Sequence, residues 1–134
     1  MAGKILIVDQ DPNYREILRT LLEKRGYMVT TLEQGYQIAN VVKRKTFDII
    51  FLDSQTGGTR DSGLFAKVRK ECPGCNIILM TSKRGDEFIR EAMGAGAYGC
   101  INKPFDPEEV LTMVHHIIPG KKPRNVGPEE RKNN

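Results

Sequence analysis

The sequence predicts an α/β fold in which parallel strands alternate with helices that cover both faces of the sheet. Three observations predict it. First, Phe47–Asp53 (F-D-I-I-F-L-D), Lys4–Val8 (K-I-L-I-V) and Asn76–Thr81 (N-I-I-L-M-T) are apolar runs with little alternation, the pattern of strands buried on both sides. Second, the segments between such runs carry apolar residues at helical spacing, so the order is strand then helix, five times over. Third, right-handed crossovers leave few ways to arrange that order.

Each element has its own signal. Lys4–Val8 ends in Asp9-Gln10-Asp11. Asp11-Pro12 then starts a helix, with Asp as the cap and Pro in the first turn. That helix sets Tyr14, Ile17, Leu18, Leu21 and Leu22 on one face and stops at Gly26. Tyr27–Thr31 is a short, more polar strand suited to an edge. A helix runs through Ile38, Val41 and Val42 before the Phe47–Asp53 strand. The loop Ser54–Arg60 leads to a short helix with Leu64, Phe65 and Val68. Pro73-Gly74 is a turn, and Asn76–Thr81 follows. Gly85–Met93 is a helix with Phe88, Ile89, Ala92 and Met93 inward. Tyr98–Asn102 is the last strand, stopped by Lys103-Pro104. Asp106-Pro107 opens the final helix, with Val110, Leu111, Val114, Ile117 and Ile118 toward the core.

With 134 residues, 39% of them hydrophobic and 28% charged, the chain reads as one globular domain over residues 1–119. Residues 120–134 read as a disordered basic tail or linker. Of the net charge of +4, the tail's Lys121, Lys122, Arg124, Arg131 and Lys132 against Glu129 and Glu130 account for +3. The body is nearly neutral, which argues against direct nucleic-acid binding. No apolar run is long enough to span a bilayer. The start M-A-G-K shows no signal-peptide pattern, so a cytoplasmic protein is expected. The three cysteines are expected as free thiols. Cys72-Pro73-Gly74-Cys75 spans a helix end and a turn, whereas a redox pair wants its first Cys at a helix N-terminus. A zinc site wants four ligands, and no second such pair exists. His115-His116 and Lys43-Arg44-Lys45 read as solvated helix ends.

Four polar residues stand at the carboxyl ends of four strands: Asp9, Asp53, Thr81 and Lys103. In a parallel sheet those ends share one edge, where open α/β sheets bind ligands. Two carboxylates suit a hard divalent cation such as Mg²⁺. One of them can act as a nucleophile, and the ammonium can neutralise a phosphoryl group in transit.

The pieces I-L-I-V-D ending in Asp9, F-D-I-I-F-L-D ending in Asp53, I-I-L-M-T ending in Thr81 and A-G-A-Y-G-C-I-N-K-P-F containing Lys103 together resemble the response-regulator receiver domain of two-component signalling, over roughly residues 3–118. The resemblance implies a five-stranded parallel sheet in the order 2-1-3-4-5. It implies that Asp53 accepts a phosphoryl group from a sensor histidine kinase or phosphotransfer protein, and that Asp9 helps position Mg²⁺. Asp53 itself and the backbone carbonyl of Gln55 complete the metal's ligands. Thr81 bonds a phosphoryl oxygen and shifts on activation, and Lys103 pairs with the phosphoryl group. The Lys103–Pro104 bond is implied to be cis. The fourth helix, fifth strand and fifth helix form the face that meets a downstream protein target. Such a domain is a phosphoacceptor that at most assists its own phosphorylation and dephosphorylation.

Three positions depart from the family's pattern. The second acidic position after the first strand is Gln10, whose amide oxygen can ligate a metal but brings no charge. The loop after Asp53 is about two residues longer than the family's pattern, with Ser62-Gly63 standing where the family has Asp-Gly. The switch aromatic three residues before the lysine is Cys100, so any switch needs another readout, of which Tyr98 is one choice. These departures keep a second reading open, a pseudo-receiver that binds proteins without being phosphorylated. A flavin- or nucleotide-binding domain fits poorly, because Asp9-Gln10-Asp11 stands where a phosphate loop would be needed.

Overall fold

The computed structural model describes residues 3–61 and 63–119. The expected tail and Ser62, half of the expected Ser62-Gly63 pair, lie outside the described residues. Among the described residues the strands are β1 (Lys4–Val8), β2 (Met28–Leu32), β3 (Ile49–Asp53), β4 (Asn76–Thr81) and β5 (Gly99–Asn102). The helices are α1 (Pro12–Glu23), α2 (Ile38–Arg44), α3 (Leu64–Glu71), α4 (Glu87–Gly94) and α5 (Pro107–Ile117), and a 3₁₀ turn over Gly35–Gln37 precedes α2.

All strand pairs are parallel, in the order β2-β1-β3-β4-β5. The polar strand β2 is at an edge, as its composition requires, while β3, fully apolar up to its last residue, is central and buried along its length. Each fully buried aliphatic side chain there contributes roughly 1.5–3 kcal/mol. Leu6, Val8, Ile50, Leu52, Ile77 and Leu79 face α2, α3 and α4, whereas Ile5, Ile7, Ile49, Phe51 and Ile78 face α1 and α5. Helices therefore cover both faces.

Element ends shift by one or two residues from the sequence reading, and three side-chain expectations are overturned. Ile17 is 55% exposed and Met93 41% exposed. Both sit at the rim of an apolar stripe whose centre, Leu18 and Leu22 in α1 and Ala92 in α4, already fills the space against the sheet. Cys72 and Cys75 form a disulfide with their Cα atoms 5.4 Å apart. The Cys75 N–H donates to Cys72 O at 3.0 Å, so the Pro73-Gly74 turn folds the two buried side chains onto each other. Cys100 is a free thiol.

The register positions the functional edge. Val8 pairs with Leu52 and Asp53 with Met80, while Thr81 pairs with Asn102. The next residues, Asp9 and Lys103, therefore emerge beside Asp53. The strand order reverses between β1 and β3, the switch point where such sheets place their ligands.

Candidate functional site

Lys103 crosses the edge of the sheet and joins both carboxylates. Its Nζ lies 2.6 Å from Asp9 Oδ2 and 2.9 Å from Asp53 Oδ1. It also sits 4.3 Å from the centroid of the Tyr14 ring, which packs against Phe105. The Lys103 N–H donates to Thr81 O at 2.8 Å, and the Lys103–Pro104 bond is cis, as the resemblance implied. Asp9 and Asp53 are almost wholly buried. Burial works against the charge on Lys103, but its two carboxylate partners outweigh that and hold it above its ordinary value. Asp9 is also raised, above its usual 3.8: burial raises it more than Lys103 lowers it, and Asp53 beside it pushes in the same direction as burial. The two directions agree physically, since Lys103 is stabilised by two acids while each acid has only a share of one ammonium.

Asp11 is the cap of α1, as expected. Its carboxylate caps α1 at the Asn13 N–H, 2.9 Å away, and its own N–H donates to Asp9 Oδ1 at 2.9 Å. Arg15 Nη1 holds the Asp9 carbonyl at 2.7 Å. Gln10 is exposed, and its side-chain oxygen accepts the Gly57 N–H at 3.4 Å. Gln55 is exposed, with its amide 3.5 Å from Ser54 Oγ. Among the described residues no hydrogen bond occupies its carbonyl. Thr81 is buried at the same edge, but its hydroxyl turns to Lys83, donating to the carbonyl at 3.2 Å and accepting the N–H at 3.0 Å. Cys100 is half-buried and shares with Thr81 a surface cavity of about 230 Å³ that Lys83, Arg84 and Arg90 also line. Tyr98 is 44% exposed.

The sequence reading missed Thr56, Arg60, Asp86 and Tyr14. Thr56, three residues past Asp53, donates its hydroxyl to Asp53 Oδ2 at 2.7 Å. Its signal was a hydroxyl residue close behind the carboxylate, easily passed over in a Gly-rich loop. That loop is clasped to the turn before α2. The Gly35 N–H donates to Gly57 O at 2.7 Å, a Cβ on Gly35 would come within 2.6 Å of Thr59 N, and Gly58 has φ +84°. Arg60 ties the far end of the loop down. Its Nε donates to Ser54 O at 2.9 Å, its Nη2 pairs with Asp86, and its guanidinium lies 5.2 Å from the Phe88 ring centroid.

Asp86 also caps α4 at the Phe88 N–H, 3.0 Å away. Burial works against its charge, but Arg60 and the Phe88 N–H outweigh burial and hold it below its usual 3.8. Asp86→Ala is therefore expected to cost about 2 kcal/mol, from the lost cap and the unpaired Arg60, read as a lower denaturant midpoint at neutral pH. A carboxylate held low in the folded state stabilises above its unfolded value and loses that contribution as pH falls through its folded value. The gap between variant and parent is expected to close below pH ~4; a gap constant with pH would contradict this assignment.

Among the described residues no helix is long and apolar enough to cross a membrane, and no three His, Cys, Asp or Glu cluster as a metal site. The donors at the sheet edge are nonetheless all oxygens. Two carboxylates, a neutral amide and a free carbonyl fit a hard cation such as Mg²⁺, with one charge fewer than a site bearing a third acid.

Comparison with known proteins gives the family of this fold. A profile of the response regulator receiver domain matches residues 5–115. The chain is 30% identical over 108 residues to the alginate biosynthesis transcriptional regulatory protein AlgB of Pseudomonas aeruginosa, covering 81% of this chain and 24% of that protein. It is 28% identical over 128 residues to the DNA-binding transcriptional regulator NtrC of Escherichia coli, covering 92% and 27%. The chain thus spans about a quarter of the length of these relatives. Among solved structures, the chemotaxis protein CheY4 of Vibrio cholerae superposes with a TM-score of 0.77 at 25% identity over 87% of this chain and 99% of that one. The BeF3-activated DrrB receiver domain gives 0.78 at 26% over 89% and 99%. With its five-stranded order, its converging acids and lysine, and a profile match over nearly all of the described fold, the chain belongs to the response regulator receiver domain family.

Proposed function

We propose that the protein accepts a phosphoryl group on Asp53 from a sensor histidine kinase or phosphotransfer protein and passes the signal to a downstream protein by a change of surface. The observation that carries this reading is the Lys103 ammonium bridging Asp9 and Asp53 at the switch point of the sheet. Asp53 supplies the nucleophilic oxygen. Lys103, already oriented by Tyr14 and two carboxylates, can follow the charge onto a phosphoryl oxygen. Asp9 keeps that lysine in place. Mg²⁺, held by Asp9, Asp53 and the Gln55 carbonyl with Gln10 as a neutral fourth donor, would neutralise phosphoryl charge. Thr81 would reach the phosphoryl group only by leaving its turn at Lys83. The likeness to a receiver domain that is activated by BeF3 supports a domain that an added group can switch.

The experiment is to incubate the protein with acetyl phosphate and Mg²⁺ and weigh it intact. The proposal expects a gain of one phosphoryl group. A folded protein that gains none supports the second reading, an interaction module. Gln10, together with an Asp53 whose two oxygens are both already hydrogen-bonded, is the observation that favours it.

The charge missing at position 10 gives a further expectation. Gln10→Asp is expected to tighten Mg²⁺ binding by on the order of tenfold, read by calorimetric titration. Unchanged affinity would show that position 10 is not a ligand.

A further inference from the structure

Thr56 touches the phosphoacceptor on the side away from Lys103. The residue is 2% exposed. Its oxygen accepts the Gln10 N–H at 2.9 Å, and its hydroxyl proton goes to Asp53 Oδ2 at 2.7 Å. The Gln10 amide can only donate, so it takes a lone pair of the hydroxyl and leaves the proton for the carboxylate. The clasp between Gly35 and Gly57 holds the loop at the residue next to Thr56.

This bond has a different strength before and after transfer. A lone pair of one Asp53 oxygen forms the new O–P bond. The bond from phosphorus to acetate breaks and its electron pair leaves with acetate, with no proton moved. If Oδ1 attacks, Oδ2 changes from a charged carboxylate oxygen to the carbonyl oxygen of an acyl phosphate. If Oδ2 attacks, the hydroxyl must withdraw. Either way a charge-assisted hydrogen bond becomes a neutral one or is lost, and a charge-assisted bond is roughly twice as strong. Lys103 does not suffer in this way, because phosphoryl oxygens replace the charge it loses. Thr56 is buried, with its proton aimed by Gln10, and it has no such replacement.

We infer that Thr56 is a positioning residue that restrains phosphorylation: its hydroxyl stabilises the free carboxylate of Asp53 over the acyl phosphate and so sets the resting protein toward the unphosphorylated state. The inference rests on the phosphoacceptor reading of Asp53 and names how this chain regulates that site.

The test follows phosphoryl uptake by intact mass, with acetyl phosphate at saturating Mg²⁺, in the full chain and in Thr56→Val, Thr56→Ala, Thr56→Ser and Asp53→Asn. The two variants without a hydroxyl are expected to take up the group about fivefold faster or more, and to lose it more slowly after the donor is removed. Thr56→Ser keeps the donor and is expected within about twofold of the parent. Damage to packing lowers uptake, so a rise restricted to Val and Ala is not what a structural role alone would give. Uptake by both at or below the parental rate overturns the inference and leaves Asp53 as phosphoacceptor. If neither the parent nor any Thr56 variant gains a group, or if Asp53→Asn gains it equally, the phosphoacceptor reading fails and the inference falls with it.

Discussion

Lys103→Met is expected to abolish phosphoryl uptake and to destabilise the fold by about 3 kcal/mol at neutral pH, since it leaves buried carboxylates without their cation. The side chains of Asp9 and Asp53 are only 1% and 5% exposed, and Lys103 is the one cation within ion-pairing distance of either among the described residues. The sign of the pH dependence follows. Asp9 is already raised above 3.8 with Lys103 present, and losing the ammonium raises it further. A carboxyl raised in the folded state binds its proton more tightly there than in the unfolded chain, so the folded state gains as pH falls through the raised value. The deficit is therefore largest at neutral pH and shrinks on acidification, with the full relief reached below about 4. Denaturant unfolding from pH 7 down to 4 checks this. A deficit that does not change with pH would show that Lys103 contributes by packing alone.

Asp53→Asn is expected to separate function from stability. Uptake of the phosphoryl group should vanish, because the amide has no anionic oxygen to attack phosphorus. Stability should change by less than about 1 kcal/mol. The substitution removes one of two like charges facing each other, while Lys103 keeps Asp9 at 2.6 Å and the amide oxygen can still accept from Thr56. A large loss of stability would mean that the Asp53–Lys103 pair is mainly structural, and would favour the interaction module.

The parts of the molecule legible in the sequence are those governed by burial. β1, β3 and β4 lie inside the sheet, so their runs are apolar through the middle, and a buried polar residue, Asp9, Asp53 or Thr81, stands at or just past each carboxyl end. Because a parallel sheet aligns such ends, the meeting of Asp9, Asp53 and Lys103 could be expected before any coordinates. Contacts set by loop paths were not legible. Thr56 and Gln10 meet across 46 residues, and Arg60 and Asp86 across 26. Neither pair lies on a regular element that would fix its spacing. Thr81 was placed at the correct edge, but its local turn to Lys83 competes with a role at Asp53 and is invisible to a strand pattern. The Cys72–Cys75 disulfide is hidden from the sequence for a related reason. Compartment and spacing argued for free thiols, whereas the tight turn at Pro73-Gly74 decides which side chains meet. At the helix rims, period alone could not say that Ile17 and Met93 fall outside the covered stripe.

The central claim is that one particular carboxylate carries the phosphoryl group. Borohydride reduces an acyl phosphate of aspartate to homoserine, which marks the modified residue permanently. Protein treated with acetyl phosphate and Mg²⁺, reduced, digested and sequenced by mass spectrometry should show homoserine at position 53 alone. Homoserine at position 9 or 11, or a phosphoryl gain that leaves no homoserine at position 53, would contradict the account.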